Sequence, residues 1–277
     1  MLAPVCESKD ESAAQPRFFA ERDTKRMNST QTTRTAKPIP IAPPYVHPFD
    51  REHGVDTSGL IGGRHLAVGH KHDRHNTAYY GVAPSLFREL CGLWRETKPP
   101  HALENYSFVD FGAGKGRAMM LASEFPFREV VGIELNTKLV DVAERNLERW
   151  QSTHPTHCPM RVLTLEATEY QFPANPCLMY LFNPFTAPVL RRVLKRAAGS
   201  FANRVGELDM LYVNHECESV LKKHAGFAQM WSGTIRMSPE DAAAEYAIIH
   251  SEGEGEYATT GDEVCSIYRW TGATAAD

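Results

Sequence analysis

The sequence has few cysteines and no pair of them close together. Six occur in 277 residues, and none stands in a Cys-x-x-Cys arrangement. Cys6, Cys91, Cys158, Cys177, Cys217 and Cys265 fall mostly in apolar runs, where a free thiol behaves as a small hydrophobe. A reduced, cytoplasmic setting is expected. A disulfide-stapled mini-protein is excluded, because a chain of this length can bury a real core. Long apolar runs are missing as well. No stretch approaches the roughly 20 residues of a membrane span, and the N-terminus carries acids where a signal core would stand. Charge of one sign is not in excess either. Thirty basic and 34 acidic residues leave a net charge of −4. That total carries no global footprint for nucleic acid or an anionic membrane, so neither is expected as a partner. What is present is ordinary: 42% hydrophobic and 23% charged residues, too apolar for a chain disordered throughout.

Three stretches differ in character. Residues 1–45 are poor in aliphatics and end in prolines, which reads as a disordered tail. Residues 46–103 form a lid segment, rich in Gly and His without a clear period, followed by a helix. Ser85 is expected to cap that helix, Leu86, Leu90, Leu93 and Trp94 to line one face of it, and Lys98-Pro99-Pro100 to stop it. From 104 to 272 strands and helices alternate. Strands are expected at Tyr106–Phe111, Glu129–Glu134, Met160–Leu165, Cys177–Phe182 and Leu208–Val213, with two more at Ala228–Ile235 and Val264–Trp270. Helices are expected at Lys115–Phe125, from an Asn136 cap to about Gln151, at Pro188–Phe201 and at Cys217–His224. This order predicts an α/β fold: a doubly wound, mostly parallel, Rossmann-like sheet of seven strands. Ligands of such sheets bind beyond the carboxyl ends of the strands, so the residues just after each strand carry the functional reading.

The first strand runs into Asp110-Phe111-Gly112-Ala113-Gly114-Lys115-Gly116-Arg117. Three glycines in a strand-to-helix turn let a ligand approach the backbone closely. The Walker A pattern fails here, because no glycine stands five residues before Lys115 and no Ser or Thr follows it. The dinucleotide fingerprint fails in both registers, with Arg117 or Met119 where its third glycine belongs. What remains is a glycine loop preceded by an acid, and a second strand ending in Glu134, 18 residues beyond Gly116. FVDFGAGKGRAMMLA and VVGIELN resemble the first motif and second strand of the class I S-adenosylmethionine (SAM) methyltransferases. The resemblance covers roughly 104–214 well. It implies SAM as cofactor, held by Gly112, Ala113, Gly114 and Gly116. Asp110 would face the methionine amino group and Glu134, with Leu135 beside it, the ribose hydroxyls. Glu166 and Ala167 would meet the adenine. A carboxylate at Glu134 has the acceptor capacity for both ribose hydroxyls.

The fourth strand ends in Phe182-Asn183-Pro184-Phe185. This resembles the Asn-Pro-Pro-Tyr motif of methyltransferases acting on amino groups conjugated to rings or carbonyls, with one proline instead of two. The resemblance places Asn183 and Phe185 at the methyl site, with Asn183 also near the cofactor. The segment and the glycine loop are similar, more weakly, to those of the non-SET histone-lysine methyltransferases. His215, after the fifth strand, is the candidate general base, because an imidazole titrates near neutral pH. His70, His72 and His75 have neither helical nor knuckle spacing, so no metal is expected. Tyr79 and Tyr80 offer ring faces to a sulfonium, and Tyr80 is the candidate cofactor contact. These readings converge on a SAM-dependent methyltransferase acting on a nitrogen of a small molecule. The alternatives are a protein-lysine methyltransferase and a non-catalytic SAM-binding regulator, with a dinucleotide oxidoreductase further off.

Overall fold

The computed structural model describes residues 45–154, 158–252 and 259–272. The tail expected at 1–45 lies, but for Tyr45, outside the described residues. The N-terminal segment is more ordered than its lack of period suggests. It holds helix α1 (Pro48–His53) and an antiparallel ribbon of β1 (Leu60–Ile61) and β2 (Tyr79–Tyr80). Then follow α2 (Pro84–Glu96), β3 (Ser107–Phe111), α3 (Arg117–Ala122), β4 (Glu129–Glu134), α4 (Thr137–Thr153) and β5 (Met160–Thr164). The remainder is β6 (Cys177–Phe182), α5 (Ala187–Ser200), β7 (Leu208–Val213), α6 (Glu218–Lys222), β8 (Phe227–Arg236), α7 (Pro239–Glu252) and β9 (Asp262–Trp270).

Seven strands form one sheet in the order β5-β4-β3-β6-β7-β9-β8. The first five are parallel, and β9 runs antiparallel to both β7 and β8. The expected mostly parallel seven-stranded sheet is thus the observed one. Its strand order reverses between β3 and β6, so a crevice opens at their carboxyl ends. Every residue of β3 is buried, as in a central strand covered on both faces. Alternate residues feed two cores. Phe108, Tyr180, Leu211 and Ile267 meet Leu86, Phe87, Leu90 and Trp94 of α2 on one face. Val109, Phe111, Met179, Leu181 and Met210 meet Val189, Leu190, Val193 and Leu194 of α5 on the other. Strand β8 ends the sheet and carries a bulge between Gln229 and Trp231.

Two expectations are corrected. Ser85 does not cap α2. Ala83 holds that position and Pro84 opens the first turn, where its missing N–H costs nothing. The Ser85 hydroxyl instead accepts from the Ser238 N–H at 2.9 Å, and its own N–H donates to Asp241 at 2.8 Å, fastening α2 to the start of α7. Helix α7 itself falls in a stretch that gave no sequence signal. Asn136 caps α4 as expected, its side chain accepting from the Lys138 and Leu139 N–H groups at 3.0 and 3.4 Å.

Candidate active site

The glycine loop joins β3 to α3 at the crevice. Gly112, Gly114 and Gly116 all have positive φ, at 83°, 54° and 87°. A Cβ on Gly112 would stand 2.4 Å from the Pro184 side chain, and one on Gly114 2.4 Å from the Tyr79 ring, so both positions require glycine on two counts. Asp110, at the tip of β3, is 3% exposed. Burial and then the neighbouring Glu134 push its carboxyl up to about 8. Glu134 ends β4. Its two oxygens accept from the Gly114 and Asn136 N–H groups, each at 2.9 Å. Burial raises its carboxyl above the usual range, while these backbone donors pull it back. Each oxygen keeps a lone pair for a hydroxyl donor.

Three cavities meet here. The largest, about 770 Å³, is lined by Gly112, Glu134, Leu135, Glu166, Ala167 and Phe185 among others. A second, about 300 Å³, holds Asp110, Gly112, Ala113 and Arg117. The third, about 290 Å³, is lined by Thr77, Ala78, Tyr80, Phe182, Asn183 and Asn214. Tyr80 and Phe182 border all three. No lysine or arginine lines the largest cleft, whose charged lining is Glu134 and Glu166. Arg117 in the second cavity is spent on Thr57, Gly81, Val82 and Asp50. The donor set therefore suits a cationic, phosphate-free ligand and offers nothing to a pyrophosphate.

The N-terminal segment closes the cleft. His72 Nδ1 lies 3.0 Å from Glu166 Oε1, and Arg192 stands 2.9 Å from His72 Nε2. Burial disfavours the charged Glu166, but hydrogen bonds from Thr168 and His72 outweigh it and hold the carboxyl below its usual value. His75 bonds Thr186 at 2.8 Å, and Asn76 bridges to Phe185. The Thr77 hydroxyl donates to the Asn183 carbonyl. Among the described residues no group of three or more His, Cys, Asp or Glu side chains is arranged to hold a metal ion.

The other predicted residues separate clearly. Tyr79 is a staple: its hydroxyl donates to the Thr57 carbonyl at 2.8 Å and its ring packs on Gly114. Tyr80 faces the cavities. Phe185 borders the largest cleft and the α5 core but not the third cavity. Gly116 caps α3 against Ala143. His215 lines none of the three cavities; its Nδ1 bonds the Ser266 hydroxyl at 2.9 Å, and burial lowers its pKa. Asn183 reaches the third cavity from the end of β6 with φ of 40°, and Asn214 matches it from the end of β7 with φ of 48°. Left-handed backbone at a residue other than glycine costs about 1 kcal/mol or more and clusters at working sites. Asn214 was not legible in the sequence, since nothing local marks a residue that only the sheet brings beside Asn183.

No protein-family model matches the chain. A curated relative, ribosomal protein L11 methyltransferase of Janthinobacterium sp. (strain Marseille), is 25% identical over 176 residues. The match spans 60% of this chain and 54% of the relative. The chain is thus similar to a methyltransferase, and S-adenosylmethionine is a phosphate-free cation of the kind the cleft suits. The match reaches only about half the length of the curated relative. Similar solved structures include the tRNA (uracil-54, C5)-methyltransferase of Pyrococcus abyssi in complex with S-adenosyl-L-homocysteine. It is 15% identical over 65% of this chain and 38% of that one, with a TM-score of 0.41. The 23S rRNA methyltransferase ErmE matches 69% of this chain and 70% of its own at 9% identity and a TM-score of 0.42.

These names correct the partner expectation. The name of the curated relative specifies a ribosomal protein and not a small molecule, so the small-molecule acceptor does not stand, and neither does the exclusion of nucleic acid. A net charge is a sum and does not describe local patches. Arg191, Lys195, Lys223 and His224 line a cleft of about 740 Å³ between α5 and α6 that contains no carboxylate. No helix among the described residues is long and apolar enough to cross a membrane.

Proposed function

We propose that the chain transfers the SAM methyl group to a nitrogen on a protein. The observation that carries this reading is the meeting of three cavities at Tyr80 and Phe182. The Asp110 cavity takes the methionine end and the Glu134–Glu166 cleft the nucleoside. The Asn183 cavity takes the acceptor. When bound, SAM supplies an electrophilic methyl on a sulfonium. The chain then has to position and exclude water, and alignment alone accounts for up to roughly 7–11 kcal/mol in such displacements. Glu134 accepts from the ribose hydroxyls. Glu166 receives the adenine amino group by sharing the oxygen that now faces His72. Residues 46–103 act as the lid, and Tyr80 places its ring where a cation–π attraction favours the sulfonium. The fine choice of a protein acceptor rests on the name of the curated relative.

The test is methyl-labelled SAM incubated with the protein and a cell extract, then separated into protein, RNA and small molecules. Label in protein is the expected result. Label in RNA would replace the protein acceptor, and SAM binding without any transfer would leave a regulator. Calorimetry that found NAD bound and SAM not bound would end the reading altogether.

A further inference from the structure

Helices α5 and α6 follow neighbouring strands, β6 and β7, and pack on the same face of the sheet. The cleft of about 740 Å³ between them has an apolar floor of Leu194, Ala198 and Val220. Cations stand above that floor. Arg191 and Lys195 are one turn apart on α5, so their side chains leave the helix about 5–6 Å from each other. Lys223, just past the end of α6, belongs to the other wall. All three are exposed, and among the described residues none of them forms an ion pair or a side-chain hydrogen bond. The carboxylate of Glu218, on α6, is occupied by Lys222 at 2.6 Å, Tyr268 at 2.9 Å and Gln229 at 3.1 Å. Like charges held this close repel one another, and a polyanion relieves that repulsion.

The lining discriminates between anions. A lone phosphate gains little from cations that stay in water. A chain of phosphates makes several such contacts at once. The side chains of the wall are almost all donors. His224 is occupied, its Nδ1 accepting from the Gly226 N–H at 3.3 Å, and burial lowers its pKa, so it adds no charge at pH 7. Ser219 is the one remaining lining side chain that can accept. An acidic peptide brings a backbone N–H with nearly every residue, and this wall answers few of them. A phosphodiester backbone brings acceptors alone. Ribose adds one hydroxyl per nucleotide, which Ser219 can meet as donor or acceptor.

We propose that the cleft between α5 and α6 docks a single strand of RNA, with its phosphates on Arg191, Lys195 and Lys223 and a 2′-hydroxyl on Ser219. This goes beyond the methyl-transfer reading and does not depend on it. The cleft shares no residue with the three cavities at the strand tips, so the strand is held there and not methylated there. It lies close to them nonetheless. Val189 lines the largest cavity, and Arg191 is two residues further along the same helix, about 3 Å along its axis.

The experiment titrates the full chain against a fluorescein-labelled oligouridylate and reads binding by anisotropy. Wild type is compared with a triple variant, Arg191→Gln, Lys195→Gln and Lys223→Gln, changed only at exposed positions. A control triple, Arg128→Gln, Lys138→Gln and Arg145→Gln, removes the same charge from exposed positions elsewhere. Wild-type binding should weaken roughly 20-fold when salt is raised fourfold, the response of three neutralised phosphates on a single strand. The cleft triple should lose that response and the control triple keep it. Each cleft substitution alone should lower the slope of log affinity against log salt by about 0.7. Oligodeoxyuridylate should bind about threefold more weakly than the RNA, the effect of one neutral hydrogen bond, and Ser219→Ala should abolish the difference. Equal losses in the two triple variants would reduce the cleft to bulk charge and overturn the inference. Polyglutamate or inorganic phosphate competing as well as RNA would also overturn it, making the occupant an acidic protein or a lone anion. DNA bound as tightly as RNA overturns the assignment to RNA, and no binding by wild type overturns the whole.

Discussion

Asp110 shows how a single buried carboxyl sets a binding curve. With its pKa near 8 it holds a proton at pH 7 when no cation is beside it. An ammonium placed there favours the ionised form and draws the pKa down. Binding SAM at pH 7 must therefore expel a proton, and affinity must climb as pH rises towards about 8 and level off above it. Calorimetry in two buffers of different ionisation enthalpy counts that proton. A release of more than half a proton at pH 7 is expected for wild type and none for Asp110→Asn, which should also bind at least tenfold more weakly. Equal heats in the two buffers would remove Asp110 from the amino-group role. The same residue illustrates what can be read from sequence. An acid ahead of a glycine loop is visible in the chain, but its protonation depends first on burial and then on Glu134, both supplied only by the folded sheet.

Helix α7 contributes a pH dependence of its own. Glu245 is 1% exposed and burial pushes its carboxyl up to about 7; the bond from Thr259 opposes this and Asp241 adds to it. Unfolded, the group titrates near 4.5. Between these values the folded chain holds a proton that the unfolded chain has lost, so stability falls as pH rises from about 4.5 to 7 and is level above. Glu245→Gln cannot lose that proton. Urea unfolding should find the variant close to wild type at pH 4.5 and more stable at pH 8, by at most about 3 kcal/mol. A gap that does not widen with pH would show that Glu245 is not buried in its acid form. Why α7 escaped a reading of the sequence is instructive. Its body, AAAEYAII, is apolar without a single stripe, because one side meets the ribbon and another meets α2 and β8. The stripe of α4 and its Asn136 cap were legible because that helix has one buried face and a local capping bond. Ser85 was misassigned because Pro84 competes for the same turn. His72 and Glu166, 94 positions apart, could be joined only by the fold.

The N-terminal segment and the sheet behave as one body because a buried charge pair joins them. Asp50 and Arg117 are each 3% exposed and 3.5 Å apart, and Arg117 also bonds the Thr57 hydroxyl at 2.6 Å. Asp50 accepts in turn from the Thr57 and Ser58 N–H groups, both at 2.6 Å. Removing one partner of such a pair leaves a buried charge unmatched, at a cost of about 3–5 kcal/mol. Asp50→Ala should release the segment before the sheet unfolds. Limited proteolysis would then cut between residues 45 and 83, and SAM binding would weaken because Leu66, His72 and Tyr80 leave the cleft. Cleavage no faster than in wild type would mean that the ribbon and Tyr79 hold the segment unaided. At the far margin of the molecule, the bulge in β8 has a different consequence. A ten-residue border strand that pairs on one side only among the described residues is the kind that invites a second copy to zip on and propagate. The extra residue between Gln229 and Trp231 interrupts that strand and turns its twist, so two such borders meet out of step. The chain thereby carries a guard against fibre growth at one border of its sheet.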